Sequence, residues 1–138
     1  SIIETTISGL NILPANADLA GAEVELANLD GREGHLRSLI AEIRDQYDFI
    51  ILDCPPALGI LTINALTAAN SVLIPVQCEY YAMEGLTRLV GSIELVRQSY
   101  NPGLEIEGIA LTMFDSRISL SRQVADQVRS HFSAGNPL

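Results

Sequence analysis

Blocks of apolar residues alternate along the chain with blocks in which apolar and polar residues recur at helical spacing. Largely apolar runs at residues 49–52, 72–76 and 106–113 are too short for helices and rich in β-branched side chains, which is typical of strands buried on both faces. A shorter run at residues 10–13, stopped by Pro14, predicts the end of another strand. The pattern therefore predicts three central strands and part of a fourth.

Apolar positions three or four residues apart predict the helices between these strands. Asp18 and Ser119 are placed to cap the first and the last of them. The predicted helices cover residues 19–27, 34–46 and 60–69, a long helix marked by Leu86 to Val96, and a last helix marked by Leu120 to Phe132.

Strands that alternate with helices predict an α/β fold of βα units with right-handed crossovers. We expect a mainly parallel sheet with helices on both faces. No repeat or linker interrupts the pattern, so residues 1–138 are expected to belong to a single domain. The chain starts beside one strand and stops where another is due, and we expect the domain to be incomplete at both ends.

The composition indicates a globular protein. Of the 138 residues, 48% are hydrophobic and 18% are charged, and no apolar run approaches the roughly 20 residues that span a bilayer. No basic and apolar leader is visible, so a cytoplasmic location is expected. Cys54 and Cys78 lack metal-ligand spacing and are expected to be small buried thiols.

The charge is strongly negative but unevenly distributed. The net charge of −9 argues against nucleic-acid binding by the chain as a whole. Residues 116–138 are the exception, because they carry Arg117, Arg122 and Arg129 against the single acid Asp126. Any contact with a polyanion is therefore expected at the C-terminal end of the chain.

Polar residues are predicted at the ends of all three central strands. Asp53 ends the first strand, residues 77–79 follow the second, and residues 112–115 end the third. Ligands of open parallel α/β sheets bind beyond the carboxyl ends of the strands. The sequence therefore predicts a ligand site at this edge of the sheet.

Asp53 is the leading candidate in that site. A carboxylate that ends a hydrophobic strand is the Walker B arrangement, in which one acid holds Mg²⁺ directly or through water. The apolar surroundings strengthen its field at a phosphate. Pro55 and Pro56 stiffen the backbone after the acid, and Gly59 allows a sharp turn into the next helix. Such a segment suits a switch loop that senses a γ-phosphate.

Two other roles for Asp53 stay open on the pattern alone. The residue either turns the chain into the helix that starts near Ile60, or accepts a phosphoryl group as in receiver domains. The second role needs a lysine on a later strand, and all eight basic residues of this chain are arginine. A phosphate loop of the form GxxxxGK[ST] also needs lysine. Either that loop lies before residue 1 or the site is not that of an NTPase.

Four long segments carry a resemblance to a known family. They are NADLAGAEVELA at residues 16–27, DCPPALGILTINALTAA at 53–69, VLIPVQCEYYAMEGL at 72–86 and IEGIALTMFDSRISLSRQVADQV at 106–128. In this order and spacing they resemble the ParA/Soj chromosome- and plasmid-partitioning ATPases, members of the deviant-Walker-A family that also includes MinD. The resemblance runs from about Leu10 to about Phe132.

The resemblance implies a P-loop NTPase-like fold and an ATPase that uses ATP and Mg²⁺. It implies a homodimer in the ATP state, with the nucleotide at the interface. It further implies non-specific DNA binding by that dimer, stimulation of hydrolysis by a ParB-like centromere-binding protein, and a cytoplasmic, nucleoid-associated location without membrane attachment.

The resemblance also assigns roles to individual residues. Asp53 matches the Walker B acid that contacts Mg²⁺ or its water, and the switch II segment is matched by Cys54, Pro55, Pro56 and Gly59. Thr112 and Asp115 resemble the strand end near the adenine, and Arg117 matches a DNA-contacting arginine, with Arg122 as a second candidate. The expected dimer-interface residues are Gln77, Glu79, Tyr80, Tyr81 and Glu84. Ordinary solvated charges are the alternative for the arginines, and core packing is the alternative for the tyrosines.

The chain departs from the family pattern in several places. The P-loop with its signature lysine, the strand with the switch I aspartate and the family's C-terminal continuation are not found. We therefore expect the chain as given to be the central and C-terminal part of a single ATPase domain and to be inactive alone. The alternative is a non-catalytic α/β scaffold derived from such an ATPase.

Overall fold

The structure is a computed structural model that describes residues 1–55, 58–79 and 82–133. Two short 3-10 turns, Arg32–Gly34 and Arg44–Gln46, flank the second helix. In chain order the strands and helices are β1 (Ile3–Glu4), β2 (Asn11–Ile12), α1 (Asp18–Leu26), α2 (His35–Ala41), α3 (Ile60–Ala68), β3 (Ser71–Gln77), α4 (Ala82–Ser99), β4 (Glu105–Thr112) and α5 (Ser119–Ser133).

Strands β3 and β4 form a parallel pair joined by the long helix α4. Their register aligns Ser71 with Glu105 at one end and Gln77 with Thr112 at the other, with one irregularity between Val72 and Leu73. Strands β1 and β2 form a separate antiparallel hairpin. The predicted α/β class with parallel pairing is confirmed, and the strands predicted at 72–76 and 106–113 both form.

The core lies where β3 meets the apolar faces of the later helices. Ile74, Ile93 and Leu104 are the largest fully buried side chains, and each contributes about 1.5–3 kcal/mol by leaving water. The helices predicted over 60–69, around 86–96 and around 120–132 all form, and they supply most of the remaining residues of this cluster. Its other buried members are Leu66, Val76, Cys78, Leu86, Val96, Val124 and Val128.

Strand β3 has one free edge among the described residues. The Asn70 carbonyl accepts a hydrogen bond from the Glu105 N–H, and the Cys78 N–H donates to the Thr112 carbonyl. The backbone N–H and carbonyl groups of the even-numbered residues of β3 therefore point toward β4. The backbone nitrogen of Pro75 lies on the other, unpaired edge, so its lack of an N–H costs no hydrogen bond to β4. Leu73 is 62% exposed, so the face of β3 opposite Ile74 and Val76 carries apolar surface that the described residues leave uncovered.

The strand predicted at residues 49–52 does not form. No strand partner in the described part of the chain pairs with it, and Phe49 and Ile51 are 88% and 89% exposed. A strand exists only through hydrogen bonds to a neighbouring strand, and local sequence cannot supply that partner. The apolar run before Asp53 is thus an unpaired segment.

Two further predictions near the N-terminus are corrected. The helix predicted over 34–46 is broken into α2 and a 3-10 turn around Ile43, so only its first half is α-helical. Asp18 is not a cap but the first residue of α1. The local side-chain bond comes from Asn16 instead, whose Oδ1 accepts the N–H of Asp18 at 3.1 Å.

Side-chain bonds to backbone groups tie the helices together near the carboxyl end of α3. Arg37 donates from Nε to the Thr67 carbonyl at 2.8 Å and from NH2 to the Tyr100 carbonyl at 3.1 Å. Asn101 donates to the carbonyls of Leu66 and Ala69 at 2.9 and 2.8 Å. Both side chains satisfy helix-end carbonyls that the helix itself leaves without partners.

Candidate functional site

The carboxyl ends of β3 and β4 meet because the two strands are parallel and in register. Gln77 lies opposite Thr112, and the Cys78 N–H donates to the Thr112 carbonyl at 3.3 Å. The residues predicted from these two strand ends are therefore brought together at one edge of the sheet, as the sequence predicted. The third predicted strand, which ends at Asp53, is not part of this sheet, because its residues pair with no other strand of the described chain.

A tight turn leads from β3 into α4. The Glu79 N–H donates to the Gln77 carbonyl at 2.8 Å, and the Ala82 N–H donates to the Glu79 carbonyl at 3.1 Å. Glu79 is exposed while Cys78 is buried, as predicted for that thiol. Tyr80 and Tyr81, two of the predicted interface residues, lie outside the described residues.

A shallow groove of about 330 Å³ runs between β3 and the first turns of α4. Ile74, Val76 and Leu86 give it an apolar floor, and Gln77 and Glu79 stand at its polar end. Two predicted interface positions thus border one groove. Glu84, the other predicted interface residue that the structure describes, faces solvent. Its Oε1 lies 2.6 Å from NH2 of Arg88, one helical turn further along α4.

The loop after β4 holds the only left-handed backbone at a non-glycine residue within the described ranges. Met113 has a φ of 54°, and its side chain is exposed. A left-handed residue with a side chain costs about 1–2 kcal/mol relative to glycine-like freedom, so the surrounding loop has to hold it there. The loop reverses the chain between Thr112 and the start of α5.

Asp115 and Arg117 hold each other in this loop. The carboxylate accepts Nε of Arg117 at 3.0 and 3.2 Å, NH2 at 2.7 Å and the Arg117 backbone N–H at 2.9 Å. These bonds, the side-chain bond first, lower the pKa of Asp115, and the bond to Asp115 raises the pKa of Arg117. A residue predicted at the nucleotide and one predicted at DNA are therefore bonded to each other.

Arg122 lies on the exposed side of α5 and makes no ion pair with any residue of the described ranges. Arg129, about two helical turns further along α5, has its NH1 3.6 Å from Oδ1 of Asp126. Both arginines are exposed, so α5 presents cations to solvent beside the Arg117 loop. This arrangement fits either a contact surface for an anion or ordinary solvation.

Asp53 is exposed at the end of the unpaired apolar segment. Its carboxylate makes no hydrogen bond or ion pair with the described residues. Its chemistry fits Mg²⁺, which prefers oxygen ligands and keeps several waters, so one free acid can hold it. Nowhere in ranges 1–55, 58–79 and 82–133 do three His, Cys, Asp or Glu side chains gather as a complete metal cage.

The residues after Asp53 differ from expectation in two respects. Cys54 is exposed, not buried as predicted, although partial burial of its thiol and then the charge of Asp53 raise its pKa. Gly59 precedes α3 with an extended backbone, φ −80° and ψ 178°, so no glycine-specific conformation is needed there. Pro55 is exposed, and Pro56 lies outside the described residues.

Gly59 lies close to the end of a flexible side chain from α1, which a larger residue would displace at little cost. A Cβ at position 59 would lie 2.5 Å from Oε1 of Glu23, which reaches over from α1. Sequence reasoning missed this contact, because Glu23 and Gly59 are far apart in the chain and no local pattern joins them. The contact places an acid of α1 beside the segment that follows Asp53.

No helix in the described part of the chain is long and apolar enough to cross a membrane.

Residues 1–106 match the AAA domain family. The chromosome partitioning protein ParA of Myxococcus xanthus is 56% identical to this chain over 128 residues, which are 93% of the chain and 45% of that protein. The chromosome-partitioning ATPase Soj of Treponema pallidum is 49% identical over 133 residues, 96% of the chain and 53% of that protein. The chain thus spans about half the length of the curated relatives it matches.

A solved structure of a nucleotide-binding protein has the same fold. The cobyrinic acid a,c-diamide synthase of Mycobacterium smegmatis, with bound ADP and magnesium, superposes with a TM-score of 0.86 at 43% identity, covering 94% of this chain and 52% of that one. This agreement confirms the predicted P-loop NTPase-like class.

Proposed function

This chain belongs to the AAA domain family and, within it, to the ParA/Soj-type partitioning ATPases that its sequence resembles, and on that premise we propose that it forms part of an ATPase that partitions DNA. The observation that carries the proposal is identity of 49–56% over more than nine tenths of the chain with two such proteins. In the complete protein, ATP and Mg²⁺ are bound and ATP is hydrolysed.

Asp53 is the proposed magnesium ligand, directly or through a bound water. Mg²⁺, when bound, neutralises charge on the nucleotide phosphates. Asp53 suits this role because its carboxylate has no competing partner among the described residues.

The segment from Cys54 to Gly59 is the proposed switch II. Pro55, two residues after the magnesium ligand, restricts the backbone, so that a shift at Asp53 is passed along the chain instead of being absorbed. At the other end, Gly59 lies beside the Glu23 carboxylate of α1. With Pro56, these residues make a stiff connection between the metal and helix α3.

The nucleotide base and the second subunit are proposed to meet at the carboxyl ends of β3 and β4. Thr112 and Asp115 end or follow β4 there. Gln77 and Glu79 border the adjacent groove, which opens to solvent and is available to a partner subunit. Tyr80, Tyr81 and Glu84 follow directly in the chain and extend the proposed homodimer interface.

DNA binding without sequence preference is proposed for Arg117 and Arg122. Both side chains are exposed and lie within residues 116–138, which carry three arginines and one acid. Phosphate contacts by arginine are independent of base sequence and weaken with salt. The proposed protein partner is a ParB-like centromere-binding protein, and the proposed location is cytoplasmic and nucleoid-associated.

The proposal is tested by ATP and Mg²⁺ binding and turnover in the full-length polypeptide that carries these residues. Asp53→Ala is expected to lower magnesium-dependent turnover by about 10- to 100-fold, the range for loss of a residue that holds a metal or its water. Asp48→Ala is the matched control, because Asp48 is an exposed acid at the other end of the same apolar segment.

Unchanged turnover and unchanged metal dependence in Asp53→Ala would refute the magnesium assignment. Failure of the unaltered full-length protein to bind ATP at all would instead support the second reading of the sequence, a non-catalytic scaffold. The two results are distinguishable, because only the second one removes nucleotide binding from the unaltered protein.

A further inference from the structure

The loop between β4 and α5 is organised around a single carboxylate. The Asp115 carboxylate accepts four hydrogen bonds, and all of them come from Arg117: one from its backbone N–H and three from its guanidinium. The Arg117 side chain is nevertheless 88% exposed, while Asp115 is 30% exposed. The arginine thus projects into solvent with its acid fixed beneath it.

We propose that Asp115 is a built-in competitor for the phosphate groups that Arg117 contacts, and that it weakens polyanion binding at this end of the chain as long as the pair is closed. The inference rests on the proposed DNA contact of Arg117. It adds a regulatory role for Asp115, which restrains that contact.

The geometry gives the competition a physical basis. A guanidinium binds phosphate best through two parallel N–H groups, and Asp115 already takes the edge formed by Nε and NH2. The remaining edge still faces solvent, but a phosphate there lies close to the Asp115 carboxylate and is repelled by it. The pair as a whole carries no net charge, so it attracts DNA less than a free arginine does.

The surroundings do not offer Arg117 another acid. Within the described residues its only ion-pair partner is Asp115. On α5 the nearest acid in sequence is Asp126, which pairs with Arg129 at 3.6 Å. Loss of the Asp115 charge therefore removes the one ion pair that Arg117 makes among the described residues.

The opposite role for Asp115 is a positioning one, in which the carboxylate aims Arg117 at DNA. The two roles predict opposite signs for the same substitution. Asp115→Asn keeps an oxygen that accepts the Arg117 backbone N–H, so the turn is preserved while the charge is removed. A competitor that loses its charge raises affinity, whereas a positioning residue that loses its charge lowers it.

The test is binding of a defined non-specific DNA duplex to the full-length protein at saturating ATP and Mg²⁺, over a series of salt concentrations. Asp115→Asn is expected to tighten binding by about 3- to 10-fold, the effect of removing one charge a few ångströms from a surface phosphate. The slope of log affinity against log salt is expected to steepen by about 0.9, as for one added phosphate contact.

Three variants control the result. Asp126→Asn removes the same charge from another exposed arginine pair and is expected to have a clearly smaller effect. In the Arg117→Gln background, Asp115→Asn is expected to give no gain. Asp115→Ser, whose hydroxyl also accepts a local N–H, repeats the measurement if the asparagine variant is poorly folded.

Weaker binding by Asp115→Asn, or a gain that persists without Arg117, would overturn the proposal. If Arg117→Gln alone leaves the affinity and the salt slope unchanged, the DNA contact of Arg117 is wrong and the competitor role falls with it. That outcome is read from the single variant, so it is separable from failure of the competition alone.

Discussion

Asn64 of α3 holds the start of α2 through Leu36: the Leu36 N–H donates to Asn64 Oδ1 at 3.0 Å. The same amide donates to the carbonyls of Arg32 at 2.8 Å and Ile60 at 3.0 Å, and the residue is buried to 3% exposure. One side chain therefore satisfies a helix-start N–H and a carbonyl of the preceding turn. It fixes how the segment before residues 49–53 docks onto α3.

Asn64→Ala is expected to lower the free energy of unfolding by about 1–3 kcal/mol, because it leaves buried polar groups of another segment without partners. Denaturant unfolding measures the change. Asn70→Ala is the matched control: Asn70 is exposed, so a change within about 0.5 kcal/mol is expected. Equal losses in the two variants would contradict the role assigned to Asn64.

The unpaired apolar segment is expected to drive association more than folding. Phe49→Ser combined with Ile51→Thr removes two highly exposed apolar side chains, so the free energy of unfolding should change by no more than about 0.5 kcal/mol. Ile74→Ala, at a residue 2% exposed, should cost about 2–5 kcal/mol.

Size-exclusion chromatography with light scattering checks the other half of this prediction. The unaltered 138-residue chain is expected to associate through its exposed segment and the free edge of β3, and the double variant is expected to associate less. A well-behaved monomer of the unaltered chain at all concentrations would contradict the expectation.

The pair in the β4–α5 loop predicts a pH effect of known sign. The pKa of Asp115 is lowered in the folded chain, chiefly by the Arg117 side chain. The pair therefore stabilises the loop above the unfolded pKa, about 4, and this contribution is lost as pH falls through the lower folded value. Arg117→Gln should move the pKa of Asp115 upward.

Carbon-13 NMR of the Asp115 carboxyl measures this shift directly. Arg122→Gln is the control, because Arg122 is an exposed arginine of the same region that makes no bond to Asp115. A pKa of Asp115 that stays equally low without the Arg117 side chain would show that the backbone N–H alone stabilises the carboxylate.

Periodicity predicted the elements whose stability comes from their own apolar faces. Helix α4 forms near its predicted position because its buried residues recur at helical spacing. Strand β3 forms at the continuous apolar run, but only Ile74 and Val76 of it are buried, so it is not buried on both faces as predicted. The run at residues 49–52 has an equally strong strand composition but no paired neighbour. Composition predicts which segments can become strands, and pairing between distant segments decides which do.

The candidate site shows the same division. The meeting of Gln77 with Thr112 followed from parallel strands alone, so the edge of the site was predictable. The contact between Glu23 and Gly59 was not, because it joins distant segments. The resemblance assigned Asp115 and Arg117 to different ligands, and only the structure shows that the two side chains form an ion pair with each other.

Met113 offers a test of whether the β4–α5 loop is held by its sequence or by its surroundings. Glycine adopts a φ of 54° without the cost of about 1–2 kcal/mol that a side chain incurs there, but it loses about 0.5–1 kcal/mol in added unfolded-state freedom. Met113→Gly is therefore expected to be neutral or to stabilise by up to about 1.5 kcal/mol.

Met113→Val should destabilise, because a β-branched side chain tolerates left-handed backbone least. Phe114→Gly is the matched control at the next position, which has no positive φ and should gain nothing from glycine. Urea unfolding of the three variants measures the differences. If glycine destabilises equally at 113 and 114, the left-handed conformation of Met113 does not set the energy of the loop.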